Sequence, residues 1–176
     1  PVIFFGNEFF DAIPIKQFKK LHKTLYEKNY TFDKKFKIKE VFKRASTADK
    51  KIIESFKSLN KLKFIEFPKF GLQELDGIVK KIHKLKGCIL MIDYGYLKSG
   101  NIDTLQSVMK HKRNNLLDSL GKADVTAHVN FTLLKEFFLK NNLKIKKIIT
   151  QKQFLENMGI LKRAELVSKR MKFSEQ

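Results

Sequence analysis

The 176-residue chain has no tryptophan, one cysteine and three prolines, and only four of its 37 basic residues are arginine. A single cysteine excludes an internal disulfide and points to a reducing compartment. Cys88 lies in the apolar run Cys88-Ile-Leu-Met-Ile92, which predicts a buried, inert thiol. No apolar run approaches the roughly 20 residues that a membrane-spanning helix needs. The opening Pro1-Val-Ile-Phe-Phe-Gly6 carries neither the basic flank nor the cleavage site of a signal peptide. Glycine-rich turns of the G-x-G-x-x-G or Walker type are missing, so no local pattern announces a nucleotide or phosphate cradle. His22, His83, His111 and His128 show no metal-ligand spacing with Cys88 or with one another, and no metal site is expected. The G-x-S-x-G elbow of serine hydrolases is absent as well.

What is present suits a globular, soluble chain. Hydrophobic residues make up 43% of the sequence, and phenylalanine alone contributes 17. One domain of this length buries roughly 70% of its unfolded surface. The formal net charge is +19, but the basic residues are overwhelmingly lysines, spread over nearly every segment. Arginine is the residue that forks onto phosphate and guanine, so the pattern predicts a solvated lysine surface, such as an AT-rich gene imposes, and no specific nucleic-acid partner.

Val2-Ile-Phe-Phe-Gly6 reads as a buried strand that stops at the polar pair Asn7-Glu8. Loose alternation between Phe18 and Phe42, with Asp33-Lys-Lys35 in the middle, predicts an inserted β-hairpin over residues 18–44. Ser46 or Thr47 caps a short helix through Ile52, Ile53 and Phe56. A longer helix follows Gly71, with Leu75, Val79 and Ile82 as its apolar stripe and Gly87 as its terminator. The run Cys88–Ile92 is a second apolar strand, ending on Asp93-Tyr-Gly-Tyr96. A helix leading into such a strand is the parallel α/β signature, in which ligands collect at strand carboxyl ends. Asn130 caps a helix through Phe131, Leu134 and Phe138 that stops at Asn141-Asn142, and Lys144–Ile149 follows as a third short strand. Residues from Phe154 to Lys172 are expected to be helical, with 160–176 a frayed helical tail.

Several segments together carry a family likeness. These are Asn7-Glu-Phe-Phe-Asp-Ala-Ile-Pro14 with Gln17-Phe18; Ile92-Asp-Tyr-Gly-Tyr96; Asp103-Thr-Leu-Gln106 with His111; Ala123-Asp-Val-Thr-Ala-His-Val129; and Thr150-Gln151 with Phe154-Leu155 and Gly159-Ile160. In that order they resemble the MidA-type methyltransferases, which include the mitochondrial complex I assembly-factor arginine methyltransferases. Asn130 stands where the family pattern has Asp, and either residue can cap a helix.

The resemblance implies an α/β fold: a partial class I methyltransferase (Rossmann-like) sheet holding strands that correspond to 4, 5 and 6 of the order 3-2-1-4-5-7-6, with an inserted strand pair. Residues 1–176 are then a single partial domain, the carboxyl-terminal half. The glycine-rich loop that holds S-adenosylmethionine falls outside it. The chain is accordingly expected to be a fragment or one subunit of a split enzyme, inactive alone, with no tight binding of the donor by itself. A non-catalytic protein-interaction role is the alternative. The implied activity is methyl transfer to a protein arginine, with a respiratory complex I subunit as a candidate substrate and a separate amino-terminal half as a candidate partner. The compartment is the bacterial cytoplasm or, alternatively, the mitochondrial matrix.

An arginine substrate stays protonated at neutral pH, so carboxylates must fix its guanidinium and aim a nitrogen at the methyl group. Glu8 is the first candidate. Asn7 either contacts the donor or orients Glu8, and Asp11 is either a second carboxylate or a turn cap. Asp93, Tyr94 and Tyr96 line the substrate channel or pack against their own loop. His128 is a site residue or a structural one, and His111 and Asp124 organise loops.

Overall fold

A computed structural model describes residues 1–98 and 100–169. The chain divides into two compact units, the first being Pro1–Lys144 and the second beginning at Ile145.

The first unit opens with β1 (Ile3–Asn7). There follow β2 (Lys16–Leu21), β3 (Thr24–Phe32) and β4 (Ile38–Arg44), then α1 (Thr47–Glu54) and a 3-10 turn at Lys57–Leu59. Next come β5 (Phe64–Phe67), α2 (Lys69–Leu85) and β6 (Cys88–Ile92). Short pieces follow: β7 (Gly95–Tyr96), β8 (Gln106–Met109), β9 (Lys112–Asn114), β10 (Asp124–Thr126) and β11 (Val129–Asn130). The unit closes with α3 (Phe131–Lys140).

β1 and β6 form a parallel two-stranded sheet in the register Ile3↔Cys88 to Asn7↔Ile92. The expected hairpin exists as β3 and β4 around the Asp33 turn, yet it belongs to a four-stranded antiparallel sheet of order β4-β3-β2-β5. β5 escaped notice because Phe64-Ile-Glu-Phe67 is only four residues long, and its partner β2 lies far away in sequence. Phe18, Ile65 and Phe67 of this sheet are all at most 2% exposed and meet Leu59, Leu72, Leu75, Val79, Leu133 and Phe137 in one core. Beside it, Asp49 is nearly buried between Lys16 Nζ at 2.9 Å and Lys69 Nζ at 2.6 Å. Burial pushes the Asp49 carboxyl up, but hydrogen bonds from Lys69, Lys16 and Ser46 outweigh it and hold the group down at about 2.

The caps at Ser46 and Asn130 form as expected: Ser46 Oγ accepts from Asp49 N–H at 3.0 Å, and Asn130 Oδ1 accepts from Leu133 N–H at 3.0 Å. Three other expectations are corrected. α2 starts before Gly71, and Lys86 rather than Gly87 takes the left-handed cap position, at φ 51°. Gly87 serves a different need, because a Cβ there would collide with the Val2 carbonyl oxygen where the chain enters β6. Cys88 is exposed, and so are Ile3 and Phe5 of the β1 run expected to be buried, since the face they share on the β1–β6 pair is left open among the described residues. Lys144–Ile149 pairs with no strand among the described residues, so its apolar alternation is not converted into a sheet.

In the second unit, α4 (Gln151–Asn157) starts on a capping box between Thr150 and Gln153. Gly159, at φ 82°, separates it from α5 (Ile160–Ser168), so the one long helix expected from Phe154 is two. The rest of the expected tail, past Lys169, lies outside the described residues.

Candidate functional site

The site is built on the carboxyl ends of β1 and β6. Glu8 extends the pairing one residue past β1, its N–H donating to the Ile92 carbonyl at 2.8 Å, and then turns the chain away at φ 45°. A left-handed backbone is uncommon for a residue other than glycine and marks a position where the fold overrides local preference. The turn leaves Asn7, Glu8 and Phe9 exposed while Phe10 and Asp11 dive to 5% exposure. No described residue pairs with the Asn7 amide or the Glu8 carboxylate.

Asp93, at the end of β6, holds this turn in place. Its Oδ2 accepts the N–H groups of Phe10 at 2.8 Å and Asp11 at 3.3 Å, and its Oδ1 accepts that of Tyr94 at 3.0 Å. Burial, helped by the neighbouring Asp11 charge, pushes the Asp93 carboxyl above the usual carboxylate range against these amides. The Tyr94 hydroxyl donates a short hydrogen bond to Asp11 Oδ2. Asp11 Oδ1 is buried and, among the described residues, has no partner. The Ala127 N–H donates to the Asp11 carbonyl at 2.9 Å, and Val129 N–H to the Tyr94 carbonyl at 3.0 Å. Between them His128 sets its ring edge-on to Tyr94, centroids 5.6 Å apart at 87°. Burial and the adjacent Asp11 raise the Tyr94 hydroxyl above the ordinary tyrosine value. Gly95 is required for the close approach of β7 to β11, because a Cβ there would strike the Val129 carbonyl.

Asp11, Asp93, Tyr94 and His128 thus meet in one cluster, with Asn7 and Glu8 at its open rim. Tyr96 belongs to a second network. Burial and the Glu66 charge push its hydroxyl up to about 12, opposed by a hydrogen bond with Asn130. Glu66 is 7% exposed and is the residue that sequence reasoning missed. It accepts from Gln17 Nε2 at 2.9 Å, from the Thr104 and Leu105 N–H groups at 3.0 and 3.2 Å, and from the Thr104 hydroxyl in a short bond. Thr104 Oγ1 in turn accepts the His128 N–H at 2.9 Å. The signal was there: an acidic residue inside the apolar run Phe64-Ile-Glu-Phe67 needs buried donors to be tolerated. His111 sits in the β8–β9 turn at φ 61° and Asp124 in β10, both away from this cluster's hydrogen bonds.

Comparison with known proteins places this arrangement. Two crystal structures from Burkholderia thailandensis share the fold over 98% of the chain, each at 19% identity. One, of an uncharacterized protein, aligns with a TM-score of 0.74. The other aligns at 0.70 and is described as a "likely methyl transferase" bound to S-adenosyl-homocysteine. The chain therefore shares the mixed α/β fold of these two proteins. Residues 1–149 match the family described as "Putative S-adenosyl-L-methionine-dependent methyltransferase", and the chain belongs to that family, the MidA-type methyltransferases. Similar relatives include the mitochondrial protein arginine methyltransferase NDUFAF7 of Danio rerio, 29% identical over 94% of the chain, and its Caenorhabditis elegans homolog, 30% identical over 99%. These alignments cover 39% and 42% of the relatives, so the chain spans about two fifths of their length.

Proposed function

We propose that this segment supplies the substrate-facing residues of an S-adenosylmethionine-dependent methyltransferase acting on a protein arginine. One observation carries the reading: the parallel β1–β6 pair delivers an exposed Glu8, without a partner among the described residues, at the strand ends on a turn clamped by Asp93. A carboxylate free of protein partners yet held on a fixed turn is suited to a guanidinium, which presents paired N–H donors to it. Asp11, with one oxygen held by Tyr94 and the other without a partner among the described residues, is a second carboxyl group on the same turn. In this reading Asp93 and Tyr94 position the turn, and His128 packs Tyr94 into place. Tyr96 and Glu66 hold the neighbouring loops.

The bound donor supplies an electrophilic methyl group on a sulfonium. Asn7, exposed at the end of β1 with no partner for its amide among the described residues, fits one contact to it. The sequence holds no glycine-rich turn for the adenosine, and Asn7 and Glu8 at the end of β1 are open to solvent. The adenosine pocket is then supplied by polypeptide of the kind that makes up the rest of the relatives' length, in the same chain or a separate one. The segment alone binds the donor weakly and is inactive, and the chain acts as a fragment of the complete enzyme. A complex I subunit is the proposed substrate, and the mitochondrial relatives favour the matrix over a bacterial cytoplasm.

Isothermal titration with S-adenosylmethionine tests this, first on the chain alone and then after addition of the amino-terminal half of a related enzyme. Binding and methyl transfer only after complementation are expected, and Glu8→Gln then lowers transfer roughly a hundredfold without loss of donor binding. Micromolar binding by the chain alone would locate the donor pocket within it. Unchanged transfer by the Glu8→Gln protein would remove Glu8 from the mechanism. If neither binding nor transfer appears after complementation, the non-catalytic interaction role takes its place.

A further inference from the structure

The β3–β4 hairpin presents its least water-compatible side chains at its tip. Phe36 is 86% exposed and Phe32 65%, with Tyr30 at 41% on the same face of the ribbon. The tip is also rigidly made. Asp33 Oδ1 accepts the N–H groups of Lys35 at 2.8 Å and Lys37 at 2.9 Å, and Asp33 N–H donates to the Lys37 carbonyl at 2.8 Å. Phe36 N–H donates to the Asp33 carbonyl at 3.0 Å, which holds Phe36 at φ 56°. A bulky L residue rarely occupies that backbone region, and glycine or asparagine would serve the turn better. The fold therefore spends strain to aim a phenylalanine into solvent.

Charge surrounds the aromatic tip. Lys34, Lys35, Lys37 and Lys39 are all exposed, while the one acid of the turn, Asp33, is occupied by backbone amides. Lys28, lower on the ribbon, is committed to Glu40 at 3.0 Å and Asp103 at 3.3 Å. Residues 16–44 hold eleven Lys and Arg against three Asp and Glu, so the basic surface is concentrated on this sheet beyond the chain average.

We propose that the β3–β4 tip docks on an anionic lipid bilayer, with Phe36 and Phe32 entering the headgroup boundary and the four lysines meeting lipid phosphates. Charge complementarity selects the occupant. Anionic headgroups favour each nearby lysine roughly fivefold, and long lysine stems can lie along apolar surface with their ammonium groups at the phosphates. Shape selects a bilayer over a protein or nucleic acid. The aromatic side chains stand exposed at the end of a two-stranded hairpin, and a fluid surface needs no complementary groove to receive them.

The chain has no tryptophan, so Phe36→Trp places a single fluorescent reporter at the tip. Mixed with vesicles of phosphatidylcholine and phosphatidylserine, its emission is expected to shift to the blue and to be quenched by a lipid-borne quencher. Pure phosphatidylcholine vesicles should leave it unchanged. Flotation of the full chain with the mixed vesicles should weaken at least tenfold in Phe32→Ser/Phe36→Ser and roughly a hundredfold in Lys34→Gln/Lys35→Gln/Lys37→Gln. All five positions are exposed, so circular dichroism should be unaltered, which makes the binding loss readable. The proposal is overturned by an unshifted reporter on the mixed vesicles, or by flotation that is unchanged when both phenylalanines are removed. A shift with single-stranded RNA or an acidic peptide, and none with vesicles, would equally overturn it and assign the tip to a macromolecular partner.

Discussion

Phe5 and Phe18 are both phenylalanines on strands near the start of the chain, yet Phe5 is 65% exposed and Phe18 is fully buried. The difference belongs to their sheets. β2 lies inside the four-stranded antiparallel sheet, flanked by β3 and β5 and covered by the helical core, so Phe18 loses all its water. β1 has β6 as its one strand partner among the described residues, and Ile3, Phe5 and Cys88 are exposed on one face of the pair. The antiparallel sheet holds the unit together, whereas the parallel pair carries the candidate site on its strand ends. The main core and the candidate site thus rest on different sheets, and substitutions should separate them.

The sharpest contrast is between the two phenylalanines themselves. Phe18→Ala should cost about 3–5 kcal/mol in denaturant unfolding, because a cavity is left at the centre of the core. Phe5→Ala should change stability by less than about 0.5 kcal/mol. Equal losses would mean that the exposed face of β1 is covered in solution, and the comparison would fail.

Next in size is the Asp49 ion cluster at the base of the antiparallel sheet. Asp49→Ala leaves Lys16 and Lys69 without their shared partner and should cost about 3 kcal/mol. Its pH dependence has a defined sign. Asp49 is held at about 2, below the unfolded carboxylate value, so its stabilisation is present above that unfolded value and is lost as pH falls toward 2. Acid titration of unfolding should therefore show a steeper loss in the parent protein than in the alanine variant.

Glu66→Gln should cost about 1–3 kcal/mol, since one acceptor oxygen is replaced by an amide donor facing the Thr104 hydroxyl or its neighbours. The His128 ring resonances should move with it, because Thr104 passes the perturbation to the His128 amide. Unmoved resonances would show the two networks to be independent.

The smallest effect lies at alkaline pH. Tyr96 is pushed up to about 12, above the ordinary tyrosine value, so the folded state retains a proton that the unfolded state releases. Stability should fall as pH rises from about 10 toward 12, and Tyr96→Phe should flatten that limb. Absorbance titration should find Tyr96 ionising near the top of this range.

Much of this was legible beforehand wherever the cause is local. Ser46 and Asn130 announce helix starts because a side-chain oxygen satisfies a free amide within three residues. The Asp33 turn and the Leu75-Val79-Ile82 stripe are equally short-ranged. The strand ends at Asn7-Glu8 and Asp93-Tyr94 were legible because apolar runs stop abruptly on polar residues, and that drew attention to most of the candidate site. Glu66 was not, since its partners Gln17 and Thr104 are distant in sequence and no local pattern records who will donate to it. Cys88 and Lys144–Ile149 misled for the same reason, as an apolar run states that burial is favourable without stating that anything lies opposite.

By itself the sequence determined the helix starts at Ser46 and Asn130, the turn at Asp33, the positions of the two parallel strands and the family, because those rest on backbone satisfaction and motif order within short windows. Only the tertiary structure decided that β2 pairs with β5, that Asp93 clamps the Glu8 turn, that Asp11, Tyr94 and His128 converge, and that Phe36 is held in water. Each of these depends on which distant groups arrive to satisfy a hydrogen bond or exclude solvent.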